Sequence, residues 1–382
     1  MLRSRRDLDA PIRIVHFISD SQPTGYFRLI ARHTDHHRFK MEVGSLDRPG
    51  GLQEGLREIG IPTFALGATR RWSYPLATLR LALRLRRDRV DVLHTHLFEA
   101  SLVGLLAAKL ARTRLAIFTG HHSHEVPLHQ RRLLFEVDRL AARWLADVVI
   151  SPSGEMRDTF VNVYGCRPDR VEVIEHGIDL SRFDPDAADG TKVRAELGLT
   201  GKLVFGAISK HFWVKNLDAL VRAFSVIAER DPDAHLVVLG IGNRAPLAAL
   251  VDRLGLSRRV SVLAPRRDVQ QVLAAFDVFV HPALAESFGL AVVEAMAMRR
   301  PVVATPVGIA GDVIEDGVSG IRIAGTDVDS LVEAMSRALE WRDRWPEMGA
   351  EARRRALTFR PERWVEAHER LYERRLGLTP RP

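Results

Sequence analysis

Two successive series of short, β-branched apolar runs, each alternating with segments of helical length, constrain this chain more than any other feature. Strands that alternate with helices lie parallel in one sheet, with helices covering both faces. The first series comprises Ile12 to Ile18, Lys40 to Ser45, Val90 to Leu93, Leu115 to Thr119 and Val148 to Ser151, with helical-length segments at Gly51 to Ile59, Tyr74 to Arg87 and Glu99 to Ala111. The pattern starts again at Leu203 to Ile208 and continues through His235 to Gly240, Val260 to Leu263, Val278 to Val280 and Val302 to Ala304. Helices fit at Asn216 to Arg230, Arg244 to Leu254, Val269 to Phe276 and Leu290 to Met298. Phe183 to Gly190, polar and carrying turn residues, reads as a linker between the series. The expected architecture is therefore α/β, with two Rossmann-like doubly wound parallel-sheet domains over 1–183 and 184–360. A terminal segment, 361–382, carries a basic amphipathic helix over Arg363 to Leu376. The 382 residues are enough for two domains of roughly 100 to 200 residues each. Such sheets bind ligands beyond the carboxyl ends of their strands, so the chemistry is expected on post-strand loops, in a cleft that both domains face.

Composition removes several function classes. With 46% hydrophobic and 27% charged residues the chain is of ordinary globular type. Cys166 stands alone, which excludes an intramolecular disulfide framework and a cysteine zinc site and makes a reducing cytoplasm the simplest setting. The start, Met1 to Arg6, is basic, but Asp7 and Asp9 follow it instead of an apolar core, so secretion is not expected. The nearest approach to a membrane span, Ser101 to Ala111, contains Lys109 and is shorter than the ~18 apolar residues required. Residues 1–180 hold 27 basic and 21 acidic side chains, so +6 of the net +8 lies there and favours an anionic partner. The basic residues are interleaved with 48 acids and form no nucleic-acid motif, so no nucleic-acid partner is expected. The first strand runs into Pro23-Thr24-Gly25 rather than Gly-x-Gly-x-x-Gly, which disfavours a hydride-transferring dehydrogenase.

The most informative stretch follows Val278 to Val280. It reads His281-Pro282-Ala283-Leu284-Ala285-Glu286-Ser287-Phe288-Gly289-Leu290-Ala291-Val292-Val293-Glu294-Ala295-Met296-Ala297. A strand ends, a loop carries a carboxylate, Gly289 allows a ligand close to the backbone, and a helix begins whose free N–H groups form an anion site. Glu286 and Glu294 stand up to about 12 Å apart if the span is mostly helical. Carboxylates accept paired sugar hydroxyls and a helix N-terminus suits a phosphate, so the order of groups fits a nucleoside diphosphate sugar. The same pattern also fits an N-terminal helix charge and a solvated helix residue. Lys210 and Lys215, in Ser209-Lys210-His211-Phe212-Trp213-Val214-Lys215, follow the first strand of the second series and suit a diphosphate, or else form a solvated basic loop.

Pro-x3-Glu-Ser-Phe-Gly-Leu-x3-Glu-Ala-Met-Ala, followed by Pro301 to Thr305 and Gly317-x2-Gly320, resembles the donor-site signature of the GT-B retaining glycosyltransferases of family 4. The resemblance runs in family order from Ile12 to about Tyr372. It implies transfer of a hexose from a nucleotide diphosphate sugar, uridine- or guanosine-linked, to a sugar or lipid-linked glycan acceptor with retention, and no cofactor. By the resemblance, Glu286 orients the hexose hydroxyls and Glu294 the ribose, while Lys210 and Lys215 neutralise the diphosphate together with the backbone at Ser287, Phe288, Gly289 and Leu290. Ser209 and Lys210 depart from the family's Gly-Arg. Gly25 occupies the place of a glycine-rich turn near the diphosphate, with one glycine only, and Arg266 the loop that frames the base. His121, after Ile117 to Gly120, corresponds to the histidine that faces the donor hexose, and domain closure would bring it in. Gly240-Ile241-Gly242 reads either as a family turn or as an ordinary structural one.

Histidines concentrate in the first half, 11 of 15 in residues 1–180. His94-Thr95-His96 and His121-His122-Ser123-His124 match no zinc signature, so no metal is expected. The segment Leu76 to Arg87, with alternating leucines and four arginines, reads either as a core-packed basic helix or as a peripheral contact with an anionic bilayer on the inner face of the membrane. A cell-envelope or exopolysaccharide role follows from the family alone. A nucleotide-sugar epimerase or hydrolase on the same fold, and a non-catalytic nucleotide-sugar-binding protein, remain as alternatives because binding a donor does not determine the fate of its sugar.

Overall fold

The computed structural model describes residues 10–121, 132–240 and 242–378. The basic start with Asp7 and Asp9, the histidine run from His122 to His124, and Ile241 lie outside the described residues. Two units, each with its own core, comprise Met1–Gly177 with Pro361–Pro382, and Ile178–Arg360.

In the first unit the described strands are β1 (Ile12–Ile18), β2 (Phe39–Ser45), β3 (Thr63–Ala65), β4 (Val92–His96), β5 (Leu115–Thr119), β6 (Val148–Ser151) and β7 (Val171–Val173). They form a parallel sheet in the order β3-β2-β1-β4-β5-β6-β7. Alternate residues of each strand face opposite layers. Val15, Phe17, Leu93, Phe118 and Val149 pack with Leu81 and Leu85 of helix Tyr74–Arg87 and Val103 and Ala107 of helix Phe98–Ala111. Ile12, Ile14, Val92, Ile117 and Ile150 face the other way, toward Phe27, Leu52 and the terminal helix Pro361–Leu376, which contributes Trp364, Val365, Leu371 and Tyr372. Burial on both faces explains why these strands read as continuous apolar runs.

The second unit contains β8 (Leu203–Ile208), β9 (Ala234–Leu239), β10 (Val260–Leu263), β11 (Val278–His281), β12 (Val302–Ala304) and β13 (Ile321–Arg322), ordered β10-β9-β8-β11-β12-β13 and parallel throughout. The division between units falls at Gly177 and not at 183, because Ile178 and Phe183 are buried in the second unit's core and the Ile178 N–H donates to the Phe359 carbonyl at 3.0 Å.

Both sheets reverse their direction of growth beside their first strand, between β1 and β4 and between β8 and β11. Loops leaving two such neighbours diverge to opposite faces and open a crevice, the usual ligand position of doubly wound sheets. Gly25 is not a turn residue: it opens helix Gly25–His33, with Thr24 as N-cap, its hydroxyl accepting from the Tyr26 N–H at 3.2 Å. Among the described residues no helix is long and apolar enough to cross a membrane.

Candidate active site

In the second unit, Lys215 and Glu286 meet. The loops after β8 and β11 leave neighbouring strands, and the Leu284 N–H donates to the Val214 carbonyl at 2.7 Å, tying one loop to the other. Val214 is fully buried, so it anchors the short turn Trp213–Lys215 and directs the lysine inward. The Lys215 ammonium pairs with Glu286 Oε1, and His281 Nε2 lies 3.3 Å from the same oxygen. Burial alone would raise the Glu286 carboxyl, but His281 and the Lys215 ammonium beside it outweigh burial and push it down to about 2. Glu286 is thus a carboxylate throughout the physiological range, paired with the Lys215 ammonium.

Gly289 lies at φ +98°, a left-handed conformation that side chains avoid, and is the N-cap of helix Leu290–Ala297. Phe288 turns its ring into the core against Phe359, with centroids 5.8 Å apart. Ser287 is buried and Leu290 partly exposed. The loop is braced from behind by Gly308, at φ +58°, where a Cβ would lie 2.5 Å from the Phe288 carbonyl oxygen and 2.9 Å from Glu286 Cβ. The Ile309 N–H donates to the same carbonyl at 2.7 Å.

Glu294, one face further along this helix, is partly buried. Burial pushes its carboxyl up to about 7, and the positive charge of Arg182 opposes the rise. Arg182 itself donates to the Arg267 carbonyl at 2.7 Å, which links Glu294 to the loop where Arg266 was expected to frame a base. Arg266 is engaged otherwise: its guanidinium binds Glu196 at 2.6 Å and Asp268 at 2.8 Å, a paired charge rather than an open one. Lys210 is exposed on the loop after β8. Gly240 is structural, since a Cβ there would strike the Ser209 carbonyl oxygen at 1.9 Å. Its turn holds that loop, with His211 Nδ1 and the Asn243 carbonyl 2.7 Å apart.

The first unit gathers histidines at its own switch point. His16 of β1 is in register with His94 of β4, and Ile18 with His96. His16 Nδ1 and His96 Nε2 are 3.0 Å apart, and His96 Nδ1 and His121 Nε2 are 2.8 Å apart. His121 stacks on His176, centroids 5.6 Å apart and planes 7° from parallel, and the Tyr26 ring meets His96, His121 and His176 edge-on. His94 bonds the Tyr372 hydroxyl at 2.8 Å and the Thr119 hydroxyl at 2.5 Å. Ligand atoms of His16, His94 and His96 lie within 4.8 Å of one another, close enough for a metal ion. Hydrogen bonds to protein groups already engage both nitrogens of His94, both of His96 and Nδ1 of His16, so the rings serve as one another's partners. Desolvation first, and then the neighbouring imidazoles, hold His16 down to about 3 and His94 and His96 well below the ordinary range, so all three are neutral. The sequence assigned no role to His16, Tyr26, His176, Arg182, His281 or Gly308, although His281 opens the stretch after Val280 that stood out.

Residues 25–182 match a family model described as Glycosyltransferase Family 4, and residues 202–340 one described as Glycosyl transferases group 1. The chain is 30% identical over 344 residues to a D-inositol 3-phosphate glycosyltransferase of Nocardia farcinica, covering 85% of this chain and 73% of the relative. It is 32% identical over 291 residues to the protein of the same name from Actinosynnema mirum, covering 69% and 68%. Among solved structures, Anabaena Alr3699/HepE in complex with UDP and glucose superimposes with a TM-score of 0.82 at 22% identity, covering 94% of this chain and 99% of that one. WaaG, a glycosyltransferase involved in lipopolysaccharide biosynthesis, gives 0.73 at 17%, covering 94% and 99%. At these identities the structural likeness concerns the fold.

Proposed function

This chain belongs to the family 4 glycosyltransferases, glycosyl transferases group 1, and we propose that it moves a hexose from a nucleoside diphosphate sugar to an acceptor hydroxyl with retention of anomeric configuration. Its fold is GT-B, with a parallel α/β sheet in each unit, and it is a transferase. The observation that carries the donor reading is the Lys215–Glu286–His281 cluster beside the helix that opens at Gly289. It sets a cation, a carboxylate and a helix N-terminus at one switch point, the groups that a diphosphate and a hexose require.

In this reading the glycosyl–phosphate bond breaks, the diphosphate keeps the electron pair and positive charge develops at the anomeric carbon. Lys210 and Lys215, with backbone N–H groups from Ser287 to Leu290, stabilise the leaving diphosphate electrostatically. The acceptor oxygen forms the new bond on the same face, and its proton passes to a leaving phosphate oxygen. Glu286 orients hexose hydroxyls, Glu294 the ribose, and His121 the hexose. No cofactor enters, and the donor is uridine- or guanosine-linked. The ion pair between Lys215 and Glu286 is then a resting arrangement that the donor opens, lysine to phosphate and glutamate to sugar.

For the acceptor we infer a sugar, polyol or lipid-linked glycan in cell-envelope or exopolysaccharide synthesis, on the cytoplasmic side of the membrane. Helix Tyr74–Arg87 supports a peripheral membrane contact: Ala77, Leu81 and Leu85 face the core while Leu76, Leu79 and Leu83 are 51%, 51% and 61% exposed beside the exposed Arg80, Arg86 and Arg87. The apolar alternation thus feeds two faces at once.

The test is a panel of UDP-, GDP- and ADP-sugars with acceptors that include D-inositol 3-phosphate, read by product NMR, with Glu294→Ala and Lys215→Ala as controls. One donor should be consumed, both variants should be impaired, and the product should keep the donor's anomeric configuration. Inversion removes the retaining mechanism. Release of free sugar or an epimerised donor without transfer favours a hydrolase or epimerase, and absence of any donor binding favours a partner-dependent or non-catalytic protein.

A further inference from the structure

Two groups of the second unit approach the same oxygen of Glu286. The Lys215 ammonium pairs with Oε1, and His281 Nε2 lies 3.3 Å from it, buried and without an aligned hydrogen bond. An ionised carboxylate only accepts, so a bare nitrogen facing it would set lone pair against lone pair; Nε2 therefore carries a hydrogen. A buried N–H that lacks an acceptor is costly, and the nearest acceptor for this one is the oxygen that Lys215 holds.

We propose that His281 is a positioning residue for Glu286: when the diphosphate of the donor draws Lys215 away, the His281 Nε2–H takes over the oxygen that the lysine leaves and holds the carboxylate on the hexose hydroxyls. The proposal rests on the reading of Lys215 and Glu286 as donor-binding groups. The two partners of Glu286 are anchored differently. His281 closes β11, is 3% exposed, stands in register with Ala304 of β12, and accepts the Thr305 N–H on its carbonyl at 3.1 Å. Its ring lies against that of Phe279, with planes 14° from parallel. Just beyond it, the Thr305 hydroxyl donates to the Ala283 carbonyl at 2.5 Å, which steadies the loop leading to Glu286. Lys215 instead reaches Glu286 on a four-carbon stem from the short turn Trp213–Lys215. A phosphate can therefore move the ammonium while the imidazole stays in place. With Oε1 held by a fixed ring, Oε2 and the remaining lone pairs are left for the sugar, and the carboxylate is not stranded when its ion pair opens.

The first measurement is the imidazole 1H–15N spectrum of the full-length protein. The His281 Nε2–H proton should move downfield when UDP, or the nucleotide that the donor panel identifies, is added to the wild type. It should move the same way in ligand-free Lys215→Met, where the oxygen is already released. The second measurement is a cycle of nucleotide affinities by calorimetry. His281→Leu should weaken binding by about ten- to a hundredfold, as expected for a lost hydrogen bond to a charged group, and should lower kcat with the sugar nucleotide as well. In a Glu286→Gln background the same change should cost less than about twofold, because the group that His281 positions is gone. His281→Gln, whose amide N–H can replace Nε2–H, should recover part of the loss. A His281 signal that stays in place in Lys215→Met, or an equal cost of His281→Leu in both backgrounds, as a merely structural role would give, overturns the proposal. Should His281→Leu not fold, the Lys215→Met and nucleotide spectra decide the question. Failure of the wild type to bind any nucleotide is a different result: it removes the donor reading itself, and the Lys215→Met spectrum then decides whether His281 takes the freed oxygen.

Discussion

Replacing Lys215 with methionine tests the buried pair at the second switch point. Glu286 and Lys215 have side chains only 15% and 17% exposed, so loss of the ammonium leaves a carboxylate with His281 as its remaining counterpart. Burial favours the neutral acid, yet His281 and Lys215 hold the group at about 2 against an ordinary 4.5. At about 1.36 kcal/mol per pH unit that preference amounts to about 3 kcal/mol. Two partners share it, and removing one member of a buried pair also strands the other. Lys215→Met should therefore lower the free energy of unfolding by about 2 kcal/mol at pH 7. The carboxyl is depressed in the folded state, so its contribution is complete above 4.5 and is lost as pH falls toward 2. The gap between wild type and variant should accordingly narrow on acidification. Glutamine at 286 needs no counter-charge, so Lys215→Met in a Glu286→Gln background should cost well under 1 kcal/mol. Urea unfolding followed by circular dichroism at pH 7, 5 and 3.5 measures all four corners of the cycle. Additivity within about 0.5 kcal/mol, or a gap that does not change with pH, would refute the pairing.

Glu294, pushed up to about 7 by burial, should bind UDP more tightly as pH rises from 6 to 8 and its carboxylate forms, whereas Glu294→Gln should show a flat profile by calorimetry. Its raised carboxyl contributes stability that is present below 4.5 and lost as pH rises through about 7, so the same variant should be the more stable protein at pH 8. Gly308→Ala forces a methyl to within 2.5 Å of the Phe288 carbonyl and adds a left-handed strain of about 1 kcal/mol or more. It should weaken UDP binding by displacing the Glu286 loop, and unchanged affinity would show that the loop tolerates movement. If helix Tyr74–Arg87 lies on a bilayer, Leu79→Glu with Leu83→Glu should abolish sedimentation with anionic liposomes while leaving activity on a soluble acceptor intact.

The alternation of apolar runs with helical segments was enough to reveal two parallel-sheet units, because strands buried on both faces have few polar residues to obscure them: β5, β6, β8, β10 and β12 begin and end where the apolar runs do. β3, β7 and β13 have two or three residues each and exist because a neighbouring strand offers an unpaired edge, which leaves no pattern in their own residues. The loop after β11 was legible because carboxylates, a glycine and a helix start follow one another in sequence. Lys215 and Glu286 were readable as functional residues but not as partners, since their contact depends on β8 and β11 being neighbours. The same holds for His16 and His96, 80 positions apart and joined by the pairing of β1 with β4. Arg266 shows the opposite limit: it read as an open cation, and its pairing with Glu196, 70 positions away, depends on the fold.

Helix Pro361–Leu376 supplies Trp364, Val365, Leu371 and Tyr372 to the core that begins with Ile12 and Ile14. During synthesis the first unit therefore emerges from the ribosome without one of its walls, and that wall is made only after the whole of the second unit. The second unit, continuous from Ile178 to Arg360, can fold while the first waits. Until the final helix arrives, one face of the first sheet stays open to water and to chaperones. A stop codon near Arg360 would thus damage the amino-terminal half of the protein, through surface left uncovered, far more than the half in which the truncation lies.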